Sequence, residues 1–165
     1  MKRNYLIIVL SLLLVHTSFA QDGLSDLFGK LDGQKSITQV TISKSLLNMM
    51  PSMTSSVNMN GVDVKAIVYK LEQIDIYTTE DAAMKKLMNK EVTAYFKGNK
   101  AYEILMKVKD EENNVVFYGK KDNNYFTSLI MFVSNEFDDE STLIRLMGSF
   151  TTQDIQDITK SGNKK

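Results

Sequence analysis

Seven carboxylates stand in two short stretches of this chain, Asp110-Glu111-Glu112 and Glu136 through Glu140. Calcium takes hard oxygen ligands, six to eight of them at roughly 2.3–2.6 Å. Asp110, Glu112, Glu136, Asp138 and Asp139 are therefore the candidate metal ligands. Their spacing is not that of an EF-hand loop, and no glycine supplies its sharp turn. Asp and Asn are ordinary turn residues, so a solvated cluster without a metal is the simpler reading. Carboxylates can also drive hydrolysis when two of them face each other about 5–9 Å apart across a cleft. Most acidic residues here sit at helix starts or turns, where capping and solvation account for them.

Composition removes most other chemistry. The single histidine is His16, and cysteine and tryptophan are absent. Once the N-terminal apolar run is removed, no Ser-His-Asp or Cys-His arrangement is available, and no His- or Cys-ligated zinc site. Gly61, Gly98, Gly119 and Gly148 are isolated, so none belongs to a phosphate-binding loop. Met49, Met50, Met53 and Met59 form a loose thioether group to which Cu(I) could bind. Flexible filling of an irregular core is the simpler role for them. No catalytic residue and no cofactor emerges, and the expected function is non-enzymatic.

The N-terminus carries an address. Lys2 and Arg3 precede the apolar run Leu6–Val15, and Ser18 and Ala20 are the small residues a signal peptidase reads. Residues 1–20 are expected to be a cleaved signal peptide, and Gln21–Lys165 a single domain that is periplasmic or secreted. No second long apolar run follows, so no transmembrane segment is expected after cleavage. Removing Lys2 and Arg3 from 20 basic residues leaves 18 against 20 acidic ones, a net of −2. That balance offers nothing to nucleic acid. The expected partner is another envelope protein or envelope component.

The elements that must position these residues follow from periodicity. Leu24, Leu27, Phe28 and Leu31 give Asp22–Leu31 a helical stripe that Asp32-Gly33 ends. Ser36–Ile42 reads as a strand, and Lys44–Met50 as a helix capped by Ser43 and closed by Pro51. Pro51–Asn60 reads as a loop, and the stretch from Asn60 to Tyr69 as a further helix. Gln73–Tyr77 reads as a strand.

The longest helix is expected to begin at Thr78–Asp81 and run to Lys97. Met84, Leu87, Met88, Val92, Tyr95 and Phe96 form its inner stripe, and Gly98 its left-handed C-cap. Ala101–Lys109 alternates like a strand near an edge. Val115–Gly119, Tyr125–Val133 and Thr142–Gly148 complete a four-strand meander. Tyr125–Val133 is apolar on both faces, as a central strand covered on both sides would be. A last helix starts at Thr152. Thr151 is its N-cap, Asp154 stands at N3, and Phe150 and Ile155 have the spacing of a hydrophobic staple. Residues 161–165 read as a frayed tail.

The expected fold is α+β: a mainly antiparallel, possibly mixed, sheet of about six strands with helices packed on it, and a C-terminal helix after the meander. Alternate turns of a meander share one end, so the two acidic turns are expected to be neighbours.

The leader ending in Ala20-Gln21, Ile42-Ser43-Lys44 running to Met49-Met50-Pro51, Leu105-Met106-Lys107-Val108-Lys109-Asp110, and Leu129–Gly148 followed by Phe150-Thr151 and Asp154-Ile155 resemble one family. It is the exported bacterial family labelled domain of unknown function 4252. The resemblance spans nearly all of Gln21–Lys165 and implies a small secreted or periplasmic domain. It brings no catalytic residues. Relatives often carry proline in the turn before the last strand, where this chain has Asn135-Glu136-Phe137-Asp138.

Overall fold

The computed structural model describes residues 23–49, 58–59, 62–63, 68–109, 113–135 and 140–161. Residues 1–22, where the signal peptide was expected, the tail beyond Ser161 and all five candidate calcium ligands lie outside the described residues. In chain order the elements are α1 (Leu24–Leu31), β1 (Thr38–Ser43), α2 (Lys44–Met49), β2 (Asn58–Met59), β3 (Val62–Asp63) and β4 (Leu71–Thr79). They continue with α3 (Ala82–Gly98), β5 (Tyr102–Lys109), β6 (Asn113–Asp122), β7 (Tyr125–Asn135), β8 (Ser141–Phe150) and α4 (Thr152–Ser161).

The fold is α+β. Six strands form one sheet in the order β1-β4-β8-β7-β6-β5, and every pairing is antiparallel. The sheet is therefore not mixed. After α3 the chain does not return beside β4 but starts at the far edge, and the meander β5 to β8 walks back to meet it. β5 is an edge strand, as its wetter face suggested, and β7 is central. Ile130 and Phe132 of β7 face one core, and Leu129 and Met131 the other.

The first core lies under α1 and α3. Leu24, Leu27, Phe28 and Leu31 meet Met88, Val92 and Phe96 over Tyr77, Ile130, Phe132 and Leu143. An ion pair from Lys30 to Glu91 ties the two helices at their surface. The second core gathers Leu47, Val68, Leu71, Ile74, Phe117, Phe126, Leu129, Phe150 and Ile155 on the opposite face. In the helical stripe of α3, Met88, Val92 and Phe96 are buried, while Met84, Leu87 and Tyr95 are half-buried.

Three local expectations change. β4 runs on through Thr79, so the N-cap of α3 is Asp81, whose carboxylate accepts from Ala83 N at 3.0 Å and Met84 N at 2.9 Å. Pairing with β8 as far as Ser141 holds residues 78–79 in the sheet. Gly98 is the last helical residue and has no left-handed backbone; Gly33, at φ 72°, has it. Val62–Asp63 is a strand paired with Asn58–Met59, where a loop and then a helix were expected. Asn60-Gly61, between them, is a strong hairpin dipeptide that the helical periodicity outweighed.

The last helix begins as its sequence indicates. Asp154 N donates to Thr151 Oγ1 at 3.3 Å, and Thr151 N donates to Asp154 Oδ2 at 2.6 Å. Phe150 and Ile155 are both buried in the second core. Lys70 adds what the sequence did not reveal, reaching Asp154 Oδ1 at 2.8 Å and Oδ2 at 2.7 Å. Burial pushes this carboxyl up, but hydrogen bonds from Lys70 and Thr151 outweigh it and hold it below the usual range. A lowered carboxylate contributes stability above its unfolded pKa of about 3.9 and loses it as pH falls through the lower folded value. Asp154→Asn should therefore lower stability by roughly 1–2 kcal/mol at neutral pH. In paired denaturant melts the gap from the wild type should close only below about pH 4.

Candidate functional site

On the second face of the sheet, side chains line up across all six strands. Val40 pairs with Ile76, Ile76 with Ile144, Ile144 with Met131, Met131 with Phe117 and Phe117 with Met106. Two residues nearer the sheet end, Thr38, Thr78, Thr142, Val133, Val115 and Val108 make a second unbroken row. Every member of the second row is β-branched, which suits a pleated surface.

These rows are incompletely covered. Leu71, Ile74, Phe126, Leu129 and Phe150, towards the other end of this face, are buried with Leu47 of α2 and Ile155 of α4. By contrast Ile76, Ile144, Met131 and Met106 are only half-buried, as are Thr78, Thr142, Val133 and Val115. The outermost members, Val40 at 43% and Val108 at 44%, are exposed. Phe117, in the first row, is 4% exposed and belongs to the second core, against which Ile76, Met106, Met131 and Ile144 also pack. The candidate site is thus a partly exposed strip of apolar and threonine side chains that runs the width of the sheet.

The strip is polar at one side. Glu140 Oε1 accepts from Thr142 Oγ1 at 2.9 Å and from Thr78 Oγ1. Those two bonds, Thr78 first, hold the Glu140 carboxyl below the usual range. Beside them Lys35, Ser36, Thr38, Thr78, Thr79, Glu80, Asp81 and Glu140 line a cleft of about 390 Å³. Its three carboxylates face one ammonium. Thr79 Oγ1, donating to Ser36 O at 2.6 Å and accepting from Asp81 N at 3.2 Å, fixes the cleft wall. Asp81 is engaged at the start of α3, and Glu140 is held as an acceptor. A general acid needs the opposite, a carboxyl held protonated. Among the described residues, no three His, Cys, Asp or Glu side chains converge to hold a metal ion.

Lys109, Asn113, Asn135 and Ser141, which flank the two acidic turns, lie at one end of the sheet, the end that carries the cleft. The turns themselves, with Asp110, Glu112, Glu136, Asp138 and Asp139, lie outside the described residues. At the same end Asn114 donates to Ser134 Oγ at 3.2 Å, while its buried Oδ1 has no partner among the described residues.

The opposite face carries a polar network that sets the strip's geometry from behind. Asp75, 2% exposed, accepts from Arg145 Nε at 2.8 Å and pairs with Arg145 Nη2 at 2.6 Å. Thr41 Oγ1 donates to it at 2.9 Å, and Gln73 Nε2 to both of its oxygens at 2.9 Å. The Arg145 guanidinium lies 4.3 Å over the Phe28 ring, which carries the network to α1. Tyr77 OH donates to Asp32 Oδ1 at 2.8 Å and accepts from Gln39 Nε2 at 3.0 Å. Burial, then the bond to Asp32, pushes the Tyr77 phenol above its ordinary value. β1, β4, β8 and α1 are thus locked together by side chains as well as by the ladder.

Periodicity did not single out these residues. Asp75 between Ile74 and Ile76, and Arg145 between Ile144 and Leu146, were the available signal. A charge alone in the middle of an apolar strand calls for a partner. The open strip had no such signal, because its rows exist only once the register of all six strands is known.

The sequence pattern of the family described as Domain of unknown function (DUF4252) matches residues 30–158, most of the chain. No curated protein and no solved structure matches it.

Proposed function

We propose that this chain, which belongs to the DUF4252 family, is an exported, non-enzymatic domain that binds another envelope protein on the open half of its sheet. The strip across β1, β4, β8, β7, β6 and β5 carries the proposal. A contiguous, rigid, partly exposed apolar surface with a polar rim is the form that protein-binding sites take. The meander and the Asp75–Arg145 network hold its strands in register. The cleft's carboxylates act as acceptors on its rim.

Two measurements test this. Protein recovered from a periplasmic or culture fraction should have an intact mass that begins at Gln21. A full-length mass in the membrane fraction would overturn export. A photo-reactive residue at Val115 or Thr142 should crosslink one recurrent envelope protein in intact cells. The same residue at Lys86, exposed on α3, should not. The same set of products from both faces would overturn the binding surface.

A further inference from the structure

The dimensions and charge of the strip indicate what covers it, and this step rests on the binding surface proposed above. Six strands about 4.8 Å apart span roughly 24 Å, and two rows of one face lie about 7 Å apart. A helix is about 10 Å wide and covers 24 Å with roughly 16 residues. An extended segment would find no free ladder groups on a sheet face. A second sheet would need more than two rows to bury its own face.

The strip is also asymmetric. Val133, Val115 and Val108 make one side of its outer row, and Thr38, Thr78 and Thr142 the other. The threonine side borders the cleft, where Glu80, Asp81 and Glu140 outnumber Lys35. The Glu140 carboxyl is fixed there by Thr78 and Thr142, both in the row. An anionic membrane would meet these carboxylates and be repelled.

We propose that the strip binds an amphipathic helix of about 16 residues from a partner protein. Its apolar stripe lies over Val133, Val115 and Val108, and a basic turn at one end lies over the cleft. The test uses fluorescent 18-residue peptides with a leucine stripe on a glutamine–alanine background. They carry three arginines in the last turn, three in the first turn, or three glutamates in place of arginine.

One or both arginine peptides should bind the purified protein at least tenfold tighter than the matching glutamate peptide. They should gain helical circular dichroism on binding, and the preference should shrink as salt is raised. Glu80→Gln with Glu140→Gln should shrink the preference from both sides, weakening the arginine peptides and letting the glutamate peptide bind tighter. Val108→Asp, at an exposed edge position, should weaken all three peptides while the melt stays near wild type.

Equal binding of arginine and glutamate peptides, or binding that Val108→Asp leaves intact, would overturn the inference. So would tighter binding to phosphatidylglycerol vesicles than to any peptide. If no peptide binds while Val115 and Thr142 still crosslink an envelope protein, the occupant is wrong and the surface stands. If those crosslinks are also absent, both fall.

Discussion

Replacing Arg145 with methionine should destabilise the domain by roughly 3–5 kcal/mol, because it leaves a buried carboxylate without its cation. Asp75 is among the least exposed polar residues, and Arg145 supplies both its ion pair and a cation–π contact to Phe28. Gln73 and Thr41 remain as donors, but neither carries charge. A thermal midpoint lower by roughly 6–20 °C is the expected reading for a chain of this size. Asp75→Asn made together with Arg145→Met should recover part of the loss, since no unpaired charge is then buried. A double variant no more stable than Arg145→Met would show that the loss comes from packing against Phe28 rather than from the stranded carboxylate.

Gly148→Ala should be as damaging, for a steric reason. A Cβ at position 148 would stand 2.8 Å from Phe150 Cζ and closer still to the Lys70 carbonyl oxygen. The backbone there cannot give way cheaply. Ser149 N donates to that same carbonyl at 3.3 Å, and a register shift between Leu71 and Gln73 carries β4 past this point. Phe150 is fully buried and cannot swing aside. A loss of roughly 3–5 kcal/mol, or failure to accumulate folded protein, is expected. Gly29→Ala is the contrast. Position 29 lies inside α1 with nothing within 4 Å of a new Cβ, so the substitution should stabilise by roughly 0.5–1 kcal/mol. Urea melts of the two variants should move in opposite directions.

The parts of the fold legible in the sequence were those fixed by neighbours along the chain. Thr151, Asp154, Phe150 and Ile155 lie within six residues, and each takes the role its spacing assigns. The stripe of α1 is buried at all four expected positions. What the sequence hid depends on distant pairing. α3 starts late because Ser141 of β8 holds Thr79 in the sheet. The alternation of β5 also misleads. A bulge between Ile104 and Met106 sets Leu105 and Met106 against the same core and leaves Ile104 exposed. The open strip is the extreme case, since its twelve positions come from six strands and no local pattern marks them.

The strand order has a consequence for the way the chain is made. β8 is the last strand in sequence, yet it sits inside the sheet, between β4 and β7. Until it arrives, β1–β4 and β5–β7 are separate halves, each with a raw inner edge that invites pairing with other chains. A ribosome that stalls before Ser141, or a protease that removes the chain from Ser141 onward, would therefore leave two adhesive halves rather than a trimmed domain. Completion is withheld until almost the whole polypeptide is present.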